Sequence, residues 1–305
     1  MRVAIIGAGL AGLTAARGLL MAGLAPIVFD KGRGVGGRLS TRRAEGGVQF
    51  DHGAQYLSAR APGFDAFLRD LEAAGAAGRW RLDDGRERLV GQPGMSAVAR
   101  YQARGVDIRQ GVEIATLERD GGGWSVAGQR FDRVISTVPA PQAVRLIGTA
   151  HPAAEALNGV VMEPGLTLML ALPARSDNPF RTCSTAGEAI AWLALDSSKP
   201  GRGGADCWVA QASPDWSRAH LERGSAEIVD LMLPLVCDRL AADPAGALHV
   251  SGHRWRFARA SRPLGQPCLT AGDGVFFGGD WALSDRAEAA WDSGGALARA
   301  VLESR

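Results

Sequence analysis

An α/β fold is predicted, with a parallel-sheet domain assembled from separated segments around an inserted mixed-sheet lobe. Three features of the 305-residue sequence carry that expectation. The chain opens on an apolar strand, residues 3–6, that runs into Gly7-x-Gly9-x-x-Gly12 and a helix with few breakers. A second strand, residues 26–29, follows and ends in Asp30. Near the far end, residues 274–281 read as a strand closing on an acid, Asp280, before a helix over residues 287–304.

Each glycine of the opening turn meets a physical need. Gly7 permits the tight turn, Gly9 lets backbone approach a pyrophosphate, and Gly12 allows close helix–strand packing. The turn as a whole, Gly7, Ala8, Gly9, Leu10, Ala11 and Gly12, is therefore a candidate phosphate cradle. Unpaired N–H groups at the helix start favour an anion there. Asp30 lies 23 residues after Gly7, where a carboxylate accepts from ribose hydroxyls. Strand, turn, helix, strand and acid in this order make a Rossmann-like dinucleotide site. A second glycine-rich loop, Lys31-Gly-Arg33-Gly-Val-Gly36-Gly37-Arg38, follows with three cations.

Composition narrows the class. Apolar content of 46% and charged content of 22% describe an ordinary globular protein. A formal charge of +2 argues against nucleic acid as the main partner. Cys183, Cys207, Cys237 and Cys268 form no CxxC pair, which fits reduced thiols and no metal site. No apolar run reaches membrane-spanning length, and a core strand at the start leaves no signal peptide to expect. The expected compartment is the cytoplasm. No second GxGxxG opens a later strand–helix unit, so a nicotinamide compound would visit as a substrate.

Between the ends, residues 64–74 read as a helix and residues 79–90 as a hairpin around Asp83-Asp84-Gly85. A helix is expected over 95–103. Residues 106–119 and 124–126 read as a strand pair around the Asp120-Gly-Gly-Gly123 turn, and 131–138 as a buried strand. Residues 166–172, 189–195 and 207–212 are strands of a different lobe, followed by a long helix over 217–241 that Pro234 is expected to kink or end. The expected division is a nucleotide domain from 1–60, 94–140 and 259–305, with the lobe built from 61–93 and 141–258.

The Gly36-Gly37-Arg38 run resembles the extension of amine-oxidase-like FAD enzymes, and Gly278-Gly279-Asp280 with Glu288-Ala-Ala290-Trp291 resembles their closing motif. Phe50-Asp51-His52-Gly53-Ala54-Gln55-Tyr56, Pro139-Ala140-Pro141-Gln142, residues 191–202 and His253-Arg-Trp255-Arg-Phe-Ala258 are similar to stretches of renalase and its bacterial relatives. That resemblance implies a Rossmann-like FAD-binding domain, discontinuous, with an inserted substrate lobe. It implies non-covalent FAD, held by the glycine turn with Asp30, Lys31, Gly37, Arg38, Leu39, Gly53, Ala54, Gln55, Ile114, Gly279, Asp280, Ala290, Trp291 and Gly294. Arg38 would reach the pyrophosphate bidentately, and the last helix would point its N-terminus at the flavin N1–C2=O edge.

The implied reaction is oxidation of isomeric dihydro-NAD(P) by hydride transfer to flavin N5, with O2 as acceptor. Such a donor asks for stacking and orientation more than for a base. Gln55, Tyr56, Met95, Trp192, His253, Trp255 and Trp291 are the candidate substrate residues, with His253 the one expected to orient the substrate or tune the flavin. One rival is an FAD-binding protein without turnover; the other is an amine oxidase or desaturase acting on a small substrate. Against it, Lys31 and Lys199 sit in turn and loop sequences, and only two tyrosines, Tyr56 and Tyr101, are present. Trp281 and Trp291 remain available for an amine cage.

Overall fold

The computed structural model describes residues 1–304. Strand β1 (Val3–Ile6) is buried at every position, and α1 (Leu10–Met21) and β2 (Ile27–Asp30) follow it. Next come α2 (Pro62–Ala73), the hairpin β3 (Ala77–Arg81) and β4 (Glu87–Gly91), and α3 (Ser96–Gln102). Strands β5 (Asp107–Gln110) and β6 (Arg133–Ser136) precede α4 (Ala140–Ile147) and α5 (Ala154–Asn158). Four strands build most of a second sheet: β7 (Val161–Leu172), β8 (Thr182–Ser184), β9 (Ile190–Leu195) and β10 (Asp206–Ala212). The chain ends through α6 (Pro214–Ala219), α7 (Ser225–Leu240), β11 (His249–Arg262), β12 (Leu269–Thr270), β13 (Val275–Phe277) and α8 (Ala287–Glu303).

The first sheet has the order β12-β13-β6-β1-β2-β5, parallel except for β12. Its central strand is apolar at every residue because both faces are covered, as parallel sheets require. The second sheet has the order β8-β9-β10-β7-β11 and is antiparallel. One face of it packs on α7 through Leu168, Leu170, Trp208, Met232 and Val236. The other carries Met169, Ala171 and Val209 against Phe50, which brings the segment before Gly53 onto the sheet. Among the described residues, no helix is long and apolar enough to cross a membrane.

Three expectations change. Residues 107–110 do not pair with 124–126; β5 lies beside β2 in parallel register, Ile27 opposite Asp107. Gly123–Val126 pairs with Glu118–Asp120 across the glycine turn and with Gln129–Phe131 on its other side. The helix expected over 217–241 is two helices, because Gly224 starts α7 with its N–H on the Glu227 carboxylate at 2.8 Å. Pro234 does not end α7, which continues to Leu240. Burial of Ile228, Met232, Val236, Cys237 and Leu240 outweighs the backbone bond a proline forfeits.

Candidate cofactor and active site

β1 delivers the chain into the glycine turn, where Gly7 has φ +107° and donates its N–H to Phe29 O at 2.8 Å. A Cβ on Gly12 would collide with the Gly7 carbonyl oxygen. A Cβ on Gly9 would meet nothing within 4 Å, so the space before it is open. Ala11 and Gly12 are buried, yet their N–H groups have no acceptor among the described residues. Buried helix-start donors need an acceptor, and a dinucleotide pyrophosphate fits that need. Gly12→Ala is expected to cost about 1–3 kcal/mol by overpacking. Thermal melting and flavin retention on desalting check it; a variant that melts and retains flavin like wild type refutes the packing account.

Asp30 braces both glycine loops. Its Oδ2 accepts from Ala8 N and its Oδ1 from Gly32 N, each at 2.6 Å. The expected ribose acceptor thus already holds two backbone donors, and its remaining lone pairs are what a ribose would find. Gly36 N donates to Ala8 O at 2.8 Å, laying the second loop along the first. Lys31 is exposed, 3.6 Å from Glu113, on the surface rather than in the cradle. Leu39 is buried, and Ile114 is half-buried against the core cluster that contains Phe29.

Arg38 and Asp280 meet across 242 residues of sequence. Arg38 Nη1 donates to Asp280 Oδ2 and Nη2 to Oδ1, both at 2.6 Å, and Nη1 also reaches Ala258 O at 2.9 Å. Asp280 therefore takes the end-on fork expected to grip phosphate. The side-on pair, Nε–H and the second Nη2–H, keeps no partner among the described residues and is the fork left for an anion. The Arg38 side chain is 30% exposed, so it is open to such a ligand.

α8 packs its middle on α1: a Cβ on Gly294 would collide with Ala11 O, so this residue serves helix contact. Ser293 is fully buried and links Gly279 N at 2.9 Å to Pro267 O at 2.6 Å. Glu288 accepts from Arg60 N and Ala61 N, capping α2. Burial raises its carboxyl pKa, but these donors and Arg286 hold it below the ordinary value. The N–H groups of Ala287, Glu288 and Ala289 have no acceptor among the described residues, which leaves the helix start, beside half-buried Ala290, able to take an anion. Trp291 stacks on Phe67 at 5.9 Å, and Trp281 is fully buried with Nε1 on Val138 O. Trp281 is core, and cannot serve in an amine cage.

The largest departure from expectation is Lys199. It sits in a loop sequence, yet its side chain is fully buried. The ammonium lies 2.6 Å from Asp196 Oδ1, 3.3 Å from Asp51 Oδ2 and 3.4 Å from Gln55 Oε1. Arg202 binds both carboxylates, completing a neutral quartet of two cations and two anions. Asp51 also accepts from Thr41 Oγ1 at 2.7 Å and Met95 N at 2.9 Å. Burial alone would raise the Asp51 pKa, but Lys199 and Arg202 hold it below its ordinary 3.8. The quartet ties residues 41, 51–55, 95 and 196–202 together. Gln55 is buried, with Nε2 on Asp51 O and on Gly53 O at 3.2 Å. Gly53 O also accepts from Gln211 at 2.7 Å, and Ala54 N donates to Arg38 O at 2.9 Å. Met95 has no exposed surface and cannot wall a substrate pocket; its backbone N–H on Asp51 is its part in the site.

His52, His253 and Trp255 form an aromatic wall. Ring centroids are 4.7 Å apart for His52–His253, 5.1 Å for His52–Trp255 and 4.4 Å for His253–Trp255. Trp255 Nε1 donates to His52 O at 2.9 Å. His52 Nδ1 is buried without a partner. Burial first, then His253 and Arg42, lower the His52 pKa to about 3; burial and Arg42 lower that of His253 to about 4. Both rings are therefore neutral near pH 7. Because their folded pKa values lie below the unfolded value of about 6.5, their stabilising contribution is full above that pH and is lost as pH falls toward 4. The urea midpoint is expected to hold between about pH 7 and 8 and to drop below about pH 6; His253→Phe should flatten part of that drop. Tyr56 and Trp192 lie 6.1 Å apart, apart from this wall in the cluster around Trp80, and Trp192 Nε1 is also buried without a partner.

Sequence reasoning misses Asp51, Asp196, Lys199 and Arg202 as a set, Ser293, and Glu288 as a cap. The spacing of Asp196, Lys199 and Arg202, three residues apart, is the one local signal. A sequence places such charges on a solvated loop by default.

Comparison with known proteins agrees with this architecture. A family model described as NAD(P)-binding Rossmann-like domain matches residues 5–71, and one described as flavin containing amine oxidoreductase matches residues 62–302. Wild-type putrescine oxidase bound to putrescine is similar in structure, with a TM-score of 0.71 at 15% identity over 99% of both chains. A double mutant of putrescine oxidase, from work on redesign of its cofactor binding, has a TM-score of 0.73 at 14% identity over 99% of both chains. At such identity the likeness is one of fold.

Proposed function

The chain belongs to the flavin-containing amine oxidoreductase family and is an FAD-dependent oxidoreductase, and on that premise we propose that it oxidises isomeric dihydro-NAD(P) in a renalase-like reaction. The observation that carries this reading is the uncharged aromatic wall of His52, His253 and Trp255. His253 stands at 90° to His52 and 68° to Trp255, so the half-buried His253 and Trp255 offer an uncharged aromatic corner to a planar dihydropyridine, which is already a hydride donor and needs no base. Both histidines stay neutral near pH 7, and Lys199 is committed to carboxylates.

Bound FAD would supply a two-electron hydride acceptor at N5, and O2 with one proton would take the two electrons and the hydrogen on to H2O2. The chain's own residues bind and orient. The N–H groups of Ala11 and Gly12 and the side-on fork of Arg38 would hold the pyrophosphate. Asp30 would hold the ribose, and the start of α8 would hold the flavin pyrimidine edge. The quartet holds Gln55 and the 53–56 segment in one arrangement, while His253 and Trp255 orient the donor ring. With Trp281 in the core and no cysteine in the closing motif, the cofactor is held without a covalent bond. Segments 1–60, 94–140 and 259–305 supply the cofactor side in this reading.

The second reading, oxidation of a small amine, is favoured by the likeness to putrescine oxidase. Anaerobic mixing separates the two. Dihydro-NAD isomers reduced off the usual ring position should bleach the flavin absorbance within seconds, and putrescine should not. Bleaching by putrescine alone reverses the assignment.

A further inference from the structure

We propose that a cleft between the start of β7, the bulged part of β11, α4 and α6 holds the adenosine diphosphate end of the dinucleotide substrate; this rests on the dihydronicotinamide reading above. β11 is the edge strand of its sheet. Its ladder with β7 pairs Glu163 with Arg259 and Gly165 with Trp255, so the three residues between Trp255 and Arg259 oppose Pro164 alone. Proline has no N–H to give the ladder, and the surplus residues bulge. The bulge has two consequences. It frees the Ala258 carbonyl to accept from Arg38 Nη1 at 2.9 Å. It also places Phe257 on the wall of a cleft of about 700 Å³ shared with Pro141, Arg145, Val161 and Met162.

Charge decides what the cleft accepts. Arg218, on its rim, is bound by Glu163 and Asp215. Arg256 is bound by Glu222 through bonds of 2.7 and 2.8 Å. Arg256 blunts the edge strand, and neither paired arginine has charge to spare. Arg145 differs: it has no carboxylate partner among the described residues, and its guanidinium carbon stands 5.9 Å from the Phe257 ring centroid. One unneutralised guanidinium, one aromatic face and an apolar floor suit a phosphate joined to a flat base. Phe257 follows Trp255 by two residues within the bulged segment, so the cleft adjoins the aromatic wall and lies within reach of a dinucleotide whose nicotinamide sits at that wall. A small amine would have no use for it.

The test uses the FAD-loaded protein, in which FAD fills its own nucleotide site. ADP-ribose binding is measured by calorimetry for wild type, Phe257→Ala, Arg145→Glu and the milder Arg145→Gln. The expected result is binding to wild type and a Kd raised about tenfold or more by Phe257→Ala and Arg145→Glu, with Arg145→Gln intermediate. In anaerobic flavin reduction, the preference for dihydronicotinamide dinucleotide over the mononucleotide should fall by a similar factor. ADP-ribose that fails to bind wild type, or binds all four proteins alike, overturns the assignment. If ADP-ribose behaves as expected but neither nucleotide reduces the flavin, the cleft stands and the proposed reaction falls. If the dinucleotide reduces the flavin with equal preference in every variant, the reaction stands and the cleft falls.

Discussion

Lys199→Met is expected to lower the stability of the protein by about 3–5 kcal/mol, the usual cost of stranding a buried charge. In wild type the ammonium is one of two cations facing two fully buried carboxylates. Removing it leaves Asp51 and Asp196 sharing Arg202 alone, with no water to screen the excess. The paired change Lys199→Met with Asp196→Asn removes one charge of each sign, and should recover more than half of the loss. Buried ion pairs contribute little net stability because desolvation offsets attraction. The quartet is therefore better regarded as a device that selects one arrangement of four chain segments. Urea unfolding of the three proteins tests this; additive losses in the double variant would show that the charges do not act as a set. Acid should mimic the single variant. The Asp51 pKa is held below 3.8, so its contribution is complete above that value and vanishes as pH falls through the folded one.

Arg38→Ala is expected to weaken FAD binding by roughly 10- to 100-fold, since charge-assisted hydrogen bonds contribute about 1.5–3 kcal/mol. Two effects add. The side-on fork is lost, and Asp280, whose side chain is only 9% exposed, becomes an unpaired carboxylate beside the pyrophosphate. Arg38→Ala with Asp280→Asn should restore part of the affinity by relieving that repulsion. Arg38→Lys should remain weak, because an ammonium cannot grip a carboxylate and a phosphate with two planar forks. Flavin fluorescence titration measures all three. Unchanged affinity in Arg38→Ala would place the phosphates elsewhere.

Much of the framework is legible in the amino-acid sequence. The opening strand spans residues 3–6 both in expectation and in the fold, and the hairpin around Asp84-Gly85, α2 and α8 lie within a few residues of where periodicity puts them. Strand pairing is less legible. Residues 107–110 suggest a hairpin partner because nearby segments usually pair, whereas a parallel neighbour from residues 27–30 takes them. Among site residues, those on the glycine turn lie together, as their spacing predicts. Met95 and Trp281 carry apolar side chains that suit a pocket or a core equally, and burial assigns both to the core.

The glycine turn, its acid and the terminal Gly279-Asp280 strand follow from the sequence alone. They depend on backbone sterics and on side-chain periods of two and about four residues, which act between near neighbours. The tertiary structure decided the rest: that Arg38 spends one fork on Asp280, that Lys199 is buried rather than solvated, and that a bulge joins Ala258 to Arg38. Each depends on the field and space created by segments more than a hundred residues away, and no local pattern records where such segments will meet.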